Sequence, residues 1–441
     1  MTRRRDRSTA SGSGRSAPGS GARQAAALDR EVDAFVASLL RAADGLAAEA
    51  DPLTAEMIAS GVLSMWHADH PADEAALGSF ARAVLRRLAD HAEPDILALL
   101  LAFAATASPP LDESARDAVE RLRAARIPEP LWARSIGLPI LVDAWISTDE
   151  LEDQSHLMAA FAYAHRPPHA INAIVDYNFR GLIRDVFIAD DPGKVRREWQ
   201  AVSGLPIRGL SEQSLADIIG QGVRMYDLFL EPPAQEEAHR LVPLLRSRLR
   251  LLPEPRPIQA PETSDEARLE LVRAFEASAE AAGLEQVGER PRAELARLFV
   301  DFACDYGAGD ALRWSPIAVE ILLTDWLPRK AILEPSEIAV LPDVLRRFVR
   351  FSARRKNLAD ELISETLDVV DEFTPDFIDG LADDERAGPA KQIALKLLAA
   401  GIDVADVAAV RRWMDAYNTG SAGSRSAGSR RPGRRPGRRT R

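Results

Sequence analysis

"IVDYNFRGLIRDVFIAD", residues 174–190, decides the fold class of this chain because it is unlike the Ala- and Leu-rich sequence around it. Two apolar runs flank a polar knot of Asp176, Asn178, Arg180, Arg184 and Asp185. β-Branched and aromatic residues suit a half-buried pleated surface, and a short polar connector between two such runs reads as a hairpin. Within "NFRG", Asn178 and Gly181 tolerate the left-handed dihedrals that tight turns demand. Alternation then places Val175 and Tyr177 on one face, and Leu182, Arg184, Val186 and Ile188 together on one face of the return strand. Asp176 and Asp185 become cross-strand neighbours. Like charges directly opposite are unfavourable, so either Arg180 or Arg184 lies between them or the register separates them. A turn this polar also offers a binding surface, with Asp176, Asn178 and Arg180 as its candidates.

Outward from this stretch the same chemistry recurs. "ILVDAWIST" (140–148), "SHLMAAFAYA" (155–164), "HAINAIVDY" (169–177) and "GLIRDVFIA" (181–189) are short and separated by "DELEDQ", "HRPPH" and "NFRG". Such connectors are too short for parallel crossovers, so residues 139–191 read as an antiparallel β-meander. On both sides the apolar period is helical. Residues 25–138 form an N-terminal helical region of about six helices, broken at Pro52, Pro71 and Pro94. Residues 192–252 supply helices that pack on the sheet, one of them capped by Ser211. "PEPRPIQAPET" (253–263) is a Pro-rich linker that runs into "TSDE", with Thr263 as N-cap and Glu266 completing a capping box. Residues 264–417 make a C-terminal helical domain, in which Gly401 closes one helix and Asp403 caps the last. No fixed repeat appears. The expected class is mainly α with a small antiparallel β-meander inserted (α+β), an irregular multi-helix body and not a regular solenoid.

The DYN hairpin and the later "DYGAGDALRWSPIAVEILLTDWLPRK" (305–330) together resemble a group of uncharacterised, mainly helical proteins common in high-GC actinobacteria. The resemblance spans roughly residues 95–415 and leaves out both ends of the chain. It implies a bacterial cytoplasmic protein and carries no activity with it.

Composition narrows the function classes. The chain has 441 residues, 46% apolar and 28% charged, as globular proteins do. The single cysteine, Cys304, excludes an intrachain disulfide and a multi-Cys metal site, and suits a reducing cytoplasm. The longest apolar run, "ILALLLAFAATA" (96–107), falls short of the roughly 20 residues a bilayer requires, so no membrane contact is expected. The Arg-rich start has no apolar stretch after it and does not read as a secretory signal. Residues 1–24 hold six Arg and one Asp, and residues 418–441 hold eight Arg and no acid. The 42 bases and 66 acids that remain leave the body at −24. Phosphates are repelled by such a body. Both ends read as disordered basic tails. The C-terminal "RRPGRRPGRR" (430–439) is the one segment expected to give weak, salt-sensitive nucleic-acid contact.

The strongest chemical constellation is the 301–330 stretch. Asp301 and Asp305 lie four residues apart, beside a stripe of Leu295, Leu298, Phe299, Phe302 and Tyr306. Glu320 and Asp325 sit on a helix that is apolar on nearly every side, so both are expected buried, with Arg313, Arg329 and Lys330 as counter-charges or binding groups. Converging carboxylates are the raw material of metal-dependent hydrolysis. They are equally the material of ion pairs that fix helix packing, and no histidine or nucleophile accompanies them. In "WHADHP", His67 and His70 stand at i, i+3, the spacing of a weak candidate metal pair. "HRPPH" (165–169) reads as a loop between strands. The isolated "GQG" (220–222) and "GAG" (307–309) are not phosphate loops, and neither a nucleophile elbow nor a dinucleotide fingerprint is present. "RRFVRFSARRKN" (346–357) carries six bases and the following "LADELISETLDVVDE" (358–372) six acids, so two antiparallel helices are expected to face these charges against each other.

The reading that follows is a non-enzymatic cytoplasmic protein, with no cofactor, that binds a protein partner through its helical body. The alternatives are a metal-dependent hydrolase or nuclease built on Asp305, Glu320 and Asp325, and a nucleic-acid accessory protein acting through its basic tails.

Overall fold

The structure is a computed structural model and describes residues 20–49, 51–69, 74–229, 231–258, 263–284, 286–383, 386–402 and 406–416. His70, Asp403 and the C-terminal Arg-rich segment lie outside them, and of the His67 side chain nothing is described. The chain divides into two compact units, Met1–Gln259 and Ala260–Arg441. It is mainly helical, with one five-stranded antiparallel sheet.

The first unit opens with α1 (Ser20–Ala42), α2 (Pro52–Asp69), α3 (Glu74–Leu88), α4 (Pro94–Thr106) and α5 (Leu111–Ala124). The apolar run at 96–107 is α4. Ile96 through Phe103 are all buried, so its length reflects a helix enclosed by others. Asp95 in its first turn accepts the Gly45 and Ala47 amides at 3.1 and 2.8 Å, which ties the loop after α1 to it. Five helices occupy the region where spacing predicts about six. Residues 126–139 form turns instead, since Pro128, Pro130 and Pro139 interrupt any helical ladder.

The sheet follows as β1 (Ile140–Thr148), β2 (Gln154–Ala162), β3 (His169–Asp176) and β4 (Leu182–Ala189). Then come α6 (Pro192–Ser203), a two-residue β5 (Arg208–Gly209), α7 (Glu212–Leu228) and α8 (Glu236–Leu249). Strand order is β4-β3-β2-β1-β5. β5 is absent from the sequence reading because two residues carry no alternation. Register sorts the side chains into two faces. Ala144, Ala159, Ile171 and Ile188 form one row, and Ile146, Leu157, Ala173 and Val186 the next. These rows join a core with Leu215, Ile219, Leu241 and Leu245 of α7 and α8. Trp145, Met158, Asn172 and Phe187 form a row on the opposite face, where Val195 and Trp199 of α6 pack.

A bulge in β4 corrects the expected phase. Ile174 pairs with Asp185 but Val175 pairs with Ile183, so Arg184 is the extra residue. Ile183 therefore rejoins the core face with Val186, and Leu182 and Arg184 do not share that face as simple alternation predicts. The register separates the two acids, since Asp185 stands opposite Ile174 and Asp176 opposite Leu182. The "GQG" glycines are packing positions. α7 crosses β4 at Gly222, where an added Cβ would come within 2.5 Å of the Ile183 side chain. Ser211 caps α7, accepting the Ser214 amide at 3.1 Å.

The second unit contains α9 (Asp265–Glu276), α10 (Glu289–Asp305), α11 (Pro316–Glu320), α12 (Leu327–Lys330), α13 (Pro335–Lys356), α14 (Asp360–Ala382) and α15 (Pro389–Ala399), with 407–416 also helical. A π-helical segment, Ile321–Trp326, joins α11 to α12. The N-cap of α9 is Ser264, one residue later than the capping box suggests, accepting the Ala267 amide at 3.2 Å. Gly401, at φ +67°, closes α15 with the Ile402 amide on Leu397 O at 3.0 Å. An aromatic cluster of Phe275, Phe299, Phe302, Trp314, Phe348 and Phe351 fills the core. Among the described residues, no helix is long and apolar enough to cross a membrane.

Candidate functional site

Two acids of the 301–330 stretch, Asp301 and Asp305, converge on an arginine. Arg268 of α9 lies between Asp301 and Asp305 of α10, donating to Asp301 at 2.8 Å and to Asp305 at 2.5 and 2.9 Å. Arg297 adds bonds to Asp301 at 2.9 Å and to Asp265 at 2.9 Å. Both carboxylates raise the Arg268 pKa, Asp305 most. Glu320 and Asp325, expected buried, are exposed. Leu322, Leu323 and Leu327 are buried, while Asp325 pairs with Arg329 at 3.1 Å four residues along the chain. Lys330 sits 5.8 Å above the Tyr306 ring, and Arg313 is buried in the turn before α11. Among the described residues, no group of three His, Cys, Asp or Glu is placed to hold a metal ion. Cys304 is buried and its thiol is raised by desolvation, which favours the inert protonated form.

The expected facing of bases on acids between α13 and α14 is seen where Arg346 pairs with Asp371. Arg354 turns to Glu280 at 2.7 Å and Lys356 to Asp310 at 2.8 Å. The turn between the two helices borders a cavity of about 530 Å³ lined by Arg350, Arg354, Asn357, Leu358, Asp360 and Ile363. Its charges are matched in part by Asp360 within the rim and by Glu280 on Arg354.

The DYN turn is also a correction. Asp176 and Asn178 are buried, and only Arg180 is exposed. Asp176 caps a 3-10 turn by accepting the Asn178 amide at 2.9 Å, and Arg184 donates to its other oxygen at 3.1 Å. Asn178 donates to Asp153 at 3.1 Å, which links the turn to the β1–β2 connector. There Asp149 accepts the amides of Leu151, Asp153 and Gln154 at 3.0, 2.9 and 2.6 Å. The left-handed residues are Arg180 (φ +56°) and Gly181 (φ +85°), not Asn178. The polar knot holds two hairpin ends together.

Sequence reasoning missed the most buried polar cluster, under the α7/α8 face. Glu56 of α2 accepts from the Tyr163 hydroxyl at 2.6 Å, from the Gly137 amide at 2.7 Å and from Arg248 of α8. Glu56 and Arg248 are both fully buried. The Arg248 guanidinium lies 5.8 Å from the Phe161 and Tyr163 ring centres, and His169 stacks on Tyr163. Burial raises the Tyr163 phenol. A signal existed: Glu56 is the sole charged residue of α2 before Asp69.

The two sheet histidines are held neutral. His169 is pushed down to about 4, by desolvation first and then by Arg248. His156, on the α6 face, is lowered by desolvation while Asn172 bonds its Nε2 at 3.0 Å. Its ring lies 4.9 Å from Trp145 and 4.3 Å from Trp199, so the imidazole is packed and not presented to a substrate. Both titrate near 6.5 once unfolded. As pH falls below that value the unfolded chain binds protons that the folded chain refuses, and stability is lost; for His169 the loss is complete at about 4. His169 accounts for on the order of 3 kcal/mol across this window. The urea midpoint should therefore fall between about pH 7.5 and 4.5, and fall less in His169→Phe. Equal slopes in the two proteins would refute the assignment.

Exposed apolar side chains occur at several places, Val202, Leu228 and Val407 among them, and four of them fall within twelve residues just before and within β1. Leu131 is fully exposed, and Leu138, Ile140 and Val142 are 65%, 67% and 49% exposed. A bulge between Leu141 and Asp143 makes Val142 the extra residue. β5 covers only Trp145 and Ile146, with the Leu210 amide on Ala144 O at 2.9 Å. Comparison of the chain with protein-family models, with curated proteins and with solved structures finds no match.

Proposed function

We propose that the chain is a non-enzymatic cytoplasmic protein that binds a protein partner through its first unit. The observation that carries this reading is the run of exposed apolar side chains Leu131, Leu138, Ile140 and Val142, within one short stretch of chain. Scattered exposed leucines are ordinary, but four exposed apolar side chains within twelve residues concentrate apolar surface of the kind that marks an interaction site. Exposed Arg134 and Asp143 give that stretch the polar rim such surfaces carry. Of the carboxylates named for a hydrolytic site, by contrast, Asp301, Asp305 and Asp325 are taken up by Arg268, Arg297 and Arg329. The nucleic-acid reading rests on the basic composition of the two ends, six Arg and one Asp in residues 1–24 and eight Arg and no acid in residues 418–441.

The test is selection of a displayed random peptide library on the full chain. Peptides enriched on the native protein should lose binding at least about tenfold on the Leu138→Glu/Ile140→Glu variant, since each replacement puts a charge where an apolar contact was. Both positions are exposed, so the variant should melt within about 1 kcal/mol of the native chain. Undiminished binding to the variant rules this surface out.

A further inference from the structure

We infer that the partner is an extended segment of another protein, which adds as a strand to the outer edge of β1 at residues 140–143. The inference rests on the partner-binding reading and specifies its mode. β1 pairs with β2 on one side along its length except at the Val142 bulge, but on the other side β5 covers it only at 144–146. Among the described residues, the main chain of 140–143 has no hydrogen-bond partner on that outer side. Unpaired edge amides and carbonyls are a template for another strand. The chain itself shows that this edge accepts one, because its own segment at Arg208–Gly209 pairs antiparallel there. Leu210 extends β5 toward this stretch, with its amide on Ala144 O, before Ser211 caps α7, so an incoming strand would pair beyond the point where the chain turns away.

The geometry selects the occupant. The free stretch is four residues, about 13 Å at roughly 3.3 Å per residue. Two copies paired over so short an edge would bury far less than the roughly 1,600 Å² of a stable specific interface. The bulge at Val142 also breaks the flatness that stacking of identical chains requires. A short segment needs neither property. Leu138 and Ile140 offer its side chains apolar contacts. Arg134 precedes the free stretch in the chain and Arg208 lies on β5 opposite Ile146, each exposed, while the one acid within the stretch, Asp143, is paired with Arg196 at 3.7 Å. The fitting ligand is therefore a short extended peptide, apolar at alternate positions and acidic at its flanks.

The experiment uses a peptide enriched on the full chain and two versions of it, N-methylated at alternate backbone positions in the two possible frames. Strand addition predicts that one frame loses binding at least about tenfold while the other is unchanged, since only alternate amides point at the neighbouring strand. It also predicts slowed amide exchange at 140–143 on binding. If both methylated peptides bind equally and exchange is unchanged, strand addition is overturned, while loss of binding on Ile140→Glu still upholds the patch. A full-length dimer that dissociates on Ile140→Glu installs a second copy as occupant and overturns the proposal. A library that enriches nothing overturns both readings.

Discussion

Alanine at Arg248 is expected to destabilise the first unit by about 3–5 kcal/mol, the cost of breaking a buried ion pair from one side. Arg248 and Glu56 are both fully enclosed, and the guanidinium also donates to the Tyr163 hydroxyl at 2.8 Å. Removing it strands the Glu56 carboxylate in a medium that cannot solvate it, and leaves a void against Phe161 and Tyr163. A paired replacement separates charge from packing. Glu56→Gln with Arg248→Met removes both charges and keeps most of the volume, so it should recover more than half of the loss. Urea midpoints of the three proteins decide the matter. An Arg248→Ala variant that loses less than about 1 kcal/mol would show that the pair is solvated and the described burial wrong.

Phe348→Ala should cost the second unit about 3–5 kcal/mol, the range for truncating an enclosed aromatic. Phe348 is fully buried, with Phe275, Phe299, Trp314 and Phe351 at ring distances of 5.2, 5.7, 5.8 and 5.9 Å. Four aromatic partners on three elements and one turn cannot all relax into the space, so the cavity persists. Phe348→Leu keeps part of the volume and should cost under half as much. Amide exchange in α10 and α13, followed in all three proteins, reads the effect where it arises. Equal exchange in the native chain and Phe348→Ala would mean that the cluster is not the centre of this core.

Much of the fold is legible in one dimension because its signals are local. Alternating branched residues at 140–189 and connectors of a few residues leave little but an antiparallel meander. Proline and serine at helix starts, and Gly401 at a helix end, report backbone geometry within one turn of themselves. The candidate sites were less legible, and each for its own reason. Glu320 and Asp325 read as buried because their helix is apolar on nearly every side, but Val319, Leu322, Leu323 and Leu327 are the residues enclosed and both acids are left exposed. Asp176 and Asn178 read as a surface because they sit in a turn. Asp153 from another connector closes over them, and no local pattern names that partner.

The sequence by itself determined the mainly helical class, the place of the sheet and most of the caps, since these depend on contacts within a few residues. Only the tertiary structure decided the bulge at Arg184, the bonding of Arg268 between two aspartates, and the open half of β1. It alone joined Glu56 to Arg248 across 192 positions. The physical reason is the same in each case. A buried charge is tolerable only beside its partner, and a strand edge is free only if nothing folds over it. Both conditions depend on how distant segments pack, and a linear pattern holds no record of that.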